Sequence, residues 1–127
     1  MFLCRCLFHA SRKSGVLIAK LVLQGSRAGF HLMSKPRVSV LLPAYNTERT
    51  VRLAVSSILR QSYSDFEIIA VDDGSTDSTP AILEEMASID SRLQVLRMPH
   101  AGLISALNEG ISHCRGELIA RMDADDI

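Results

Sequence analysis

The chain has 127 residues, 47% of them hydrophobic and 22% charged, which suits a small folded domain or part of a larger one and excludes an intrinsically disordered chain. Basic and acidic side chains balance in number, yet residues 1–37 hold seven Lys and Arg and no acid, while residues 38–127 hold the other seven and all fourteen acids. The acidic excess after residue 37 argues against nucleic acid as a partner, because a phosphate backbone calls for a basic face.

The first segment, MFLCRCLFHASRKSGVLIAKLVLQGSRAGFHLM, has one apolar run, VLIAKLVL, broken by Lys20. A bilayer span needs about 20 apolar residues, so this run is too short to cross a membrane. It also lacks the unbroken core and small-residue cleavage site of a signal peptide. Its acid-poor, Arg- and Ser-containing composition resembles a transit peptide or a weak amphipathic anchor, compatible with a cytoplasmic protein that makes peripheral membrane contact. Met33 opens MSKPRVSVLLPAYN, which reads as a start running directly into a strand. Residues 1–34 are therefore expected to form a basic leader outside the fold, and residues 35–127 the folded part. Cys4 and Cys6 form a lone C-x-C and Cys114 continues an apolar helical stripe, so no disulfide framework or zinc spacing is present and a reducing compartment fits.

From Val38 the pattern alternates between strands and helices. VSVLLP (38–43) is a short apolar run of the kind buried on both faces of a sheet. Val51, Ala54, Val55, Ile58 and Leu59 then recur at helical spacing, with Asn46 or Thr47 available as N-cap. FEIIAVDD (66–73) predicts a second buried strand, and Ile82, Leu83, Met86 and Ile89 a second helix whose first turn accommodates Pro80. LQVLRM (93–98) predicts a third strand, Leu103, Leu107, Ile111 and Cys114 the buried face of a third helix, and ELIARM (117–122) a fourth strand. Strands and helices joined by short connections form right-handed βαβ units, hence an α/β fold with an open, mostly parallel sheet and helices on both faces.

Ligands of such sheets bind beyond the carboxyl ends of the strands. Parallel strands bring Pro43-Ala44-Tyr45-Asn46, Asp72-Asp73-Gly74-Ser75 and Asp123-Ala124-Asp125-Asp126 to one edge. Clustered carboxylates repel unless a cation or hydrogen-bond donors compensate, and Asp-x-Asp offers oxygen ligands to a hard divalent ion such as Mg²⁺ or Mn²⁺ that shares its shell with water and phosphates. By itself D-x-D is equally an exposed acidic loop; its place after a buried strand favours the site. Ser75, Thr76, Asp77, Ser78 and Thr79 read as caps for the following helix, whereas Asp72 and Asp73 are placed to accept from a base N–H or ribose hydroxyls. A calcium-loop reading of Asp73, Ser75, Asp77 and Glu84 fails because Ser78 takes the glycine position and Pro80 lies inside the loop. Tyr45 is either a half-buried core residue or a face for a planar base. His100 and His113 read as loop or surface residues without a metal-ligand partner, and the phosphate-binding patterns of ATP and NAD sites are absent.

The blocks VSVLLPAYN, SSILRQSYSDFEIIAVDDGSTDST and GLISALNEGISHCRGELIARMDADDI, in this order, closely resemble family 2 glycosyltransferases of the GT-A fold over Arg37–Ile127. The resemblance implies the Rossmann-like, nucleotide-sugar-binding half of that fold, a nucleotide-diphospho-sugar donor, Mn²⁺ or Mg²⁺, and inverting transfer to the hydroxyl of a saccharide, lipid or protein acceptor. The donor-binding residues it implies are Pro43, Tyr45, Asn46, Asp72, Asp73 and Asp123, with Tyr45 stacking near the base and Asp73 hydrogen-bonding it. Asp125 is implied as the principal metal-contacting carboxylate and Asp123 as lying near both ribose and metal; no distinct role is implied for Asp126. Two departures stand out. Leu107 precedes Asn108 where many members have Arg, and members continue well past the D-x-D into a half that supplies the acceptor site and a carboxylate base. The base is therefore expected beyond Ile127, and the chain is expected to be a fragment without transferase activity of its own. A non-catalytic nucleotide-binding or interaction module on the same fold is the alternative. A phosphoacceptor signalling domain is excluded, since the third strand ends in Arg97-Met98-Pro99 and no Lys follows Lys35.

Overall fold

The computed structural model describes the backbone of residues 6–10 and 16–21 and the whole of residues 35–125. Its elements are strands β1 (Cys6–Ala10), β2 (Val16–Leu21) and β3 (Val38–Ala44), helix α1 (Val51–Leu59), β4 (Phe66–Asp73), α2 (Thr79–Ile89), β5 (Leu93–Met98), α3 (Leu103–His113) and β6 (Leu118–Met122). The sheet order is β1-β2-β6-β3-β4-β5. β6, β3, β4 and β5 are mutually parallel, as the alternating pattern predicts. Among the described residues no helix is long and apolar enough to cross a membrane.

The leader expected to stand outside the fold falls mostly outside the described residues. Where it is described, β1 and β2 form an antiparallel pair, and β2 runs antiparallel to β6 with Val16 opposite Met122. Pairing there covers the free edge that β6 would otherwise present, with its row of unpaired N–H and C=O groups.

The parallel strands separate two apolar layers. On one side Val40, Leu42, Ala44, Ile68 and Ala70 pack against Val51, Ala54, Val55 and Ile58 of α1 and Leu83 and Met86 of α2. On the other, Leu41, Ile69 and Val71 pack against Ala106 of α3. The period-2 alternation of side chains along each strand assigns neighbouring residues to opposite layers. All eight residues of β4 are buried, which explains its near-continuous apolar sequence.

The structure corrects the expected face of α3. Ala106 and Gly110 are the residues buried against the sheet, with Leu107 and Cys114 flanking them, while Leu103 and Ile111 are about half exposed. The reason is distance: a Cβ on Gly110 would run into Leu41 Cδ1 and come within 2.8 Å of Val71 Cγ2. The helix axis lies too near the sheet for large side chains at its centre, so small residues at i and i+4 make the contact. Cys114 donates its Sγ–H to the Gly110 carbonyl at 3.3 Å, and burial pushes its thiol up from the usual range. Ile89, expected on the buried face of α2, is exposed, because it is the last residue before the chain turns extended at Asp90.

At the amino end of the strands a buried carboxylate closes the sheet. Glu67 stands opposite Ser39 in the β3–β4 register and is 3% exposed. Its Oε1 accepts from Ser39 Oγ at 2.6 Å and from the Arg115 backbone N–H at 2.8 Å; its Oε2 accepts from Arg115 Nε and Nη2 at 2.9 and 2.6 Å. Ser39 Oγ in turn accepts from Gly116 N–H at 2.8 Å. Burial by itself would raise the Glu67 carboxyl, but the hydrogen bonds from Ser39 and Arg115 together with the guanidinium charge outweigh it and hold the group below the usual range.

Two outcomes follow from this packing. Gly110→Ala should destabilise the fold by about 1–2 kcal/mol, since overpacking against Leu41 and Val71 outweighs the roughly 1 kcal/mol that Ala contributes to helix propensity; thermal unfolding would measure it. Because Glu67 has a lowered folded pKa, its contribution to stability is complete above the unfolded carboxylate value of about 4.3 and is lost as pH falls through the folded value. Glu67→Gln should therefore cost about 2 kcal/mol at pH 7, and the gap from wild type should narrow in denaturant titrations as pH falls below about 4.3.

Candidate functional site

The order of the parallel strands creates the site. From β3 the chain winds through α1, β4, α2 and β5 toward one edge, and α3 then carries it back across the sheet to place β6 on the other flank of β3. The strand order reverses between β3 and β6, and open α/β sheets bind ligands outside the carboxyl ends of strands at such a switch point. The β3–β6 ladder ends at Leu41 opposite Arg121. Two residues later Pro43 lacks the N–H that would continue a ladder, so the strands are free to part there.

The resulting cleft has a volume of about 350 Å³, within the range of small-molecule sites. It is walled by Pro43 and Ala44 at the end of β3, Tyr45 and Thr47 after it, Asp73 at the end of β4, His100 and Gly102 before α3, Leu103 and Ala106 on α3, and Arg121, Asp123, Ala124 and Asp125 around the end of β6. Of the residues singled out in the sequence, the structure thus brings together Pro43, Tyr45, Asp73, Asp123 and Asp125. Asn46 and Asp72 do not line the cleft. Asp126 lies outside the described residues.

Asp72 and Asp73 diverge because adjacent strand residues face opposite ways. Asp72 is 1% exposed; its Oδ1 accepts from Ser75 N–H at 3.2 Å and its Oδ2 stands 3.9 Å from Arg97 Nε. It stabilises the turn after β4. Asp73 is 4% exposed and accepts from the loop that leads into α3: Oδ1 from Ala101 N–H at 2.8 Å and Oδ2 from Gly102 N–H at 2.9 Å, while its backbone carbonyl is the hydrogen-bond partner of His100 Nδ1 at 3.1 Å, with Oδ2 standing 2.9 Å from the same nitrogen. A carboxylate at the amino end of α3 is also favoured by the helix dipole.

The loops after β3 and β4 are laced to each other, and Asp77 Oδ1 also accepts from Thr79 N–H at 2.9 Å at the start of α2. Neither α1 nor α2 has a side-chain cap hydrogen bond at its N-cap residue. Instead Ser75 Oγ, Thr79 Oγ1 and Asp77 Oδ2 accept from the backbone N–H of Asn46, Thr47 and Glu48 at 2.9, 2.8 and 3.1 Å. In return Asn46 Oδ1 and Glu48 Oε2 accept from the N–H of Thr76 and Ser78 at 2.9 and 3.0 Å. Slight burial would raise Asp77, but hydrogen bonds from Thr79 and Glu48 hold its carboxyl below the usual range. Asn46 adopts a positive φ of 50°, a conformation Asn tolerates better than most residues. This lacing sets where Tyr45 leaves the strand.

Two residues of the site carried no distinct signal in the sequence. His100 stacks on Tyr45 with ring centroids 4.2 Å apart and planes 21° from parallel. It approaches the β4–α2 turn so closely that a Cβ on Gly74, whose φ is +69°, would lie 2.5 Å from the His100 nitrogen. Arg121 directs Nε and Nη2 to Asp123 Oδ1 at 2.8 and 2.7 Å, leaving Oδ2 without that partner. A strand arginine two residues before an aspartate is a weak pattern, and the histidine is linked to Asp73 only through the fold.

Among the described residues no group of three or more His, Cys, Asp or Glu stands together to enclose a metal. Asp123 and Asp125 offer carboxylates on one short turn after β6, which suits a hard ion that takes its remaining ligands from water and a bound anion. Thr47 Oγ1 is the sole buried side-chain N or O atom among the described residues with no hydrogen-bond partner, and Thr47 is part of the cleft wall.

Comparison with known proteins agrees with this architecture. The sequence model described as Glycosyl transferase family 2 matches residues 39–127. The chain is 44% identical over 94 residues to a protein named putative glycosyltransferase EpsH from Bacillus subtilis, covering 74% of this chain and 27% of that one. It is 33% identical over 96 residues to the hyaluronan synthase of Pasteurella multocida, covering 76% of this chain and 10% of that one. Among solved structures, the mannosyltransferase PcManGT from Pyrobaculum calidifontis in complex with GDP-Man and Mn²⁺ superposes with a TM-score of 0.66 at 31% identity, covering 73% of this chain and 28% of that one. S. aureus TarS in complex with UDP-GlcNAc superposes with a TM-score of 0.66 at 29% identity, covering 70% of this chain and 26% of that one. The chain thus spans about a quarter of the length of EpsH and of these structural neighbours. An open α/β sheet with a cleft at its switch point, together with a family match across residues 39–127, places this chain in glycosyl transferase family 2.

Proposed function

We propose that the cleft binds the nucleoside diphosphate of a nucleotide-sugar together with a divalent metal, as the donor part of an enzyme that transfers the sugar with inversion to an acceptor hydroxyl. The observation that carries the reading is the meeting of an aromatic face, Tyr45, with the Asp123 and Asp125 carboxylates in one cleft at the strand-order reversal. An aromatic face suits a planar base. The carboxylates suit the other end of the ligand only through a cation. Asp73, Asp123 and Asp125 outnumber Arg121 along the wall, so a diphosphate entering without a metal would meet repulsion. The Mn²⁺ and donor nucleotides in the complexes of related proteins support the same assignment.

Within this reading Asp125, exposed on the turn after β6, and the free Oδ2 of Asp123 would hold the ion. When bound, the metal supplies Lewis-acid neutralisation of the charge that develops on the departing diphosphate. Arg121 keeps Asp123 oriented toward the cleft. Asp73 acts on the base region through the loop it anchors, and each of its oxygens already accepts a hydrogen bond from the protein.

Titration calorimetry with UDP and with GDP, in the presence and absence of Mn²⁺, tests the reading. Binding of at least one nucleotide should require the metal, and Asp125→Ala should weaken it by more than about 10-fold, the scale on which disturbing a metal site acts. Metal-independent binding that survives Asp125→Ala would leave the carboxylates without this role.

A further inference from the structure

We propose that His100 is a positioning residue that holds the ring of Tyr45 as a preformed platform for the donor base. The inference rests on the donor-site reading of the cleft but assigns a role to a side chain outside the expected donor set.

Both groups within reach of His100 Nδ1, the Asp73 carboxylate at 2.9 Å and the Asp73 carbonyl at 3.1 Å, are acceptors only. Nδ1 therefore carries the hydrogen, and the imidazole plane is set by a residue at the end of the fully buried β4. The same ring lies against Tyr45 at a centroid distance of 4.2 Å. A line of contacts thus runs from the rigid core through Asp73 and His100 to a tyrosine that is 45% exposed. Gly74 keeps this line short, since any side chain there would push the His100 backbone away.

Tyr45 has no hydrogen bond among those of the described side chains and sits just beyond the last residue of β3. Lacking a neighbour on one face, its ring would sample several rotamers, and a base binding to it would have to restrict them. Stacking on His100 supplies that neighbour in advance and leaves the opposite face for the ligand. The contribution lies in organising the platform, so it should appear in base recognition and be absent from recognition of the diphosphate and metal.

Three variants separate the contacts. His100→Asn keeps a donor for Asp73 without the ring, His100→Phe keeps a ring without the donor, and His100→Ala removes both. The readouts are the Tyr45 ring-proton shifts in the ligand-free chain, and calorimetric binding of UDP, GDP and inorganic pyrophosphate with Mn²⁺. His100→Ala and His100→Asn should weaken nucleoside diphosphate binding about tenfold, the scale of an aromatic pair, and leave pyrophosphate binding unchanged. His100→Phe should restore nucleotide binding to within about threefold of wild type and preserve the stacked Tyr45 shifts. Wild-type binding in His100→Asn, or no recovery in His100→Phe, would overturn the proposal. If the wild-type chain binds neither nucleotide, the donor reading fails separately, and the Tyr45 shifts decide the positioning: loss of the stacked shifts in His100→Asn upholds it, and unchanged shifts in His100→Ala overturn it.

Discussion

A carboxylate buried at the end of a strand must find donors, and at Asp73 that requirement organises the whole ligand edge. Its two oxygens collect the N–H groups of Ala101 and Gly102, and its backbone carbonyl meets the ring Nδ1 of His100. An unsatisfied carboxylate at this depth would be strongly unfavourable, so the loop before α3 is held in the one conformation that supplies those donors. That conformation starts α3 beside the cleft, places His100 on Tyr45 and requires glycine at position 74. A single buried charge thereby couples β4 to the aromatic residue after β3.

The two edges of the sheet show how buried carboxylates serve different ends. At the amino edge Glu67 is enclosed by Ser39 and Arg115 and ties the exit of α3 to the first turns of β3 and β4. At the carboxyl edge the loops after β3 and β4 exchange side-chain acceptors and backbone donors, fixing the backbone around Tyr45, while Asp123 and Asp125 stand on a turn that is only partly covered. A closed amino edge and a laced but open carboxyl edge is the division expected of a domain whose chemistry happens at one end. Under the proposed reading, the acidic lining calls for a cation beside any anionic ligand, a requirement that Arg121 by itself does not meet because it is already engaged with Asp123.

Much of this was legible from residue pattern. The near-continuous apolar runs of β3 and β4 announce buried strands, and their spacing from helical stripes announces parallel order. Tyr45, Asp73, Asp123 and Asp125 could be placed at one edge because each follows such a run. The burial of α3 was misread because the hydrophobic stripe through Leu103 and Ile111 is stronger than the signal of Ala106 and Gly110, which lie where the helix comes closest to the sheet. The cap-rich stretch Ser75–Thr79 behaves only in part as its pattern suggests: Asp77 accepts from Thr79 N–H at the start of α2, but Ser75, Asp77 and Thr79 also accept backbone N–H groups of a loop some 30 residues away.

What the sequence alone determined is therefore local and periodic: strand and helix identity, the parallel α/β class, and the arrival of polar residues at the strand ends. These follow from the repeat of side-chain direction along a strand or helix, which any single chain displays. The tertiary structure decided which of two adjacent aspartates faces the cleft, which small residues admit α3 to the sheet, and that His100 and Arg121 belong to the site. Those outcomes depend on strand order and register, set by packing between segments far apart in the chain, and no local pattern encodes them.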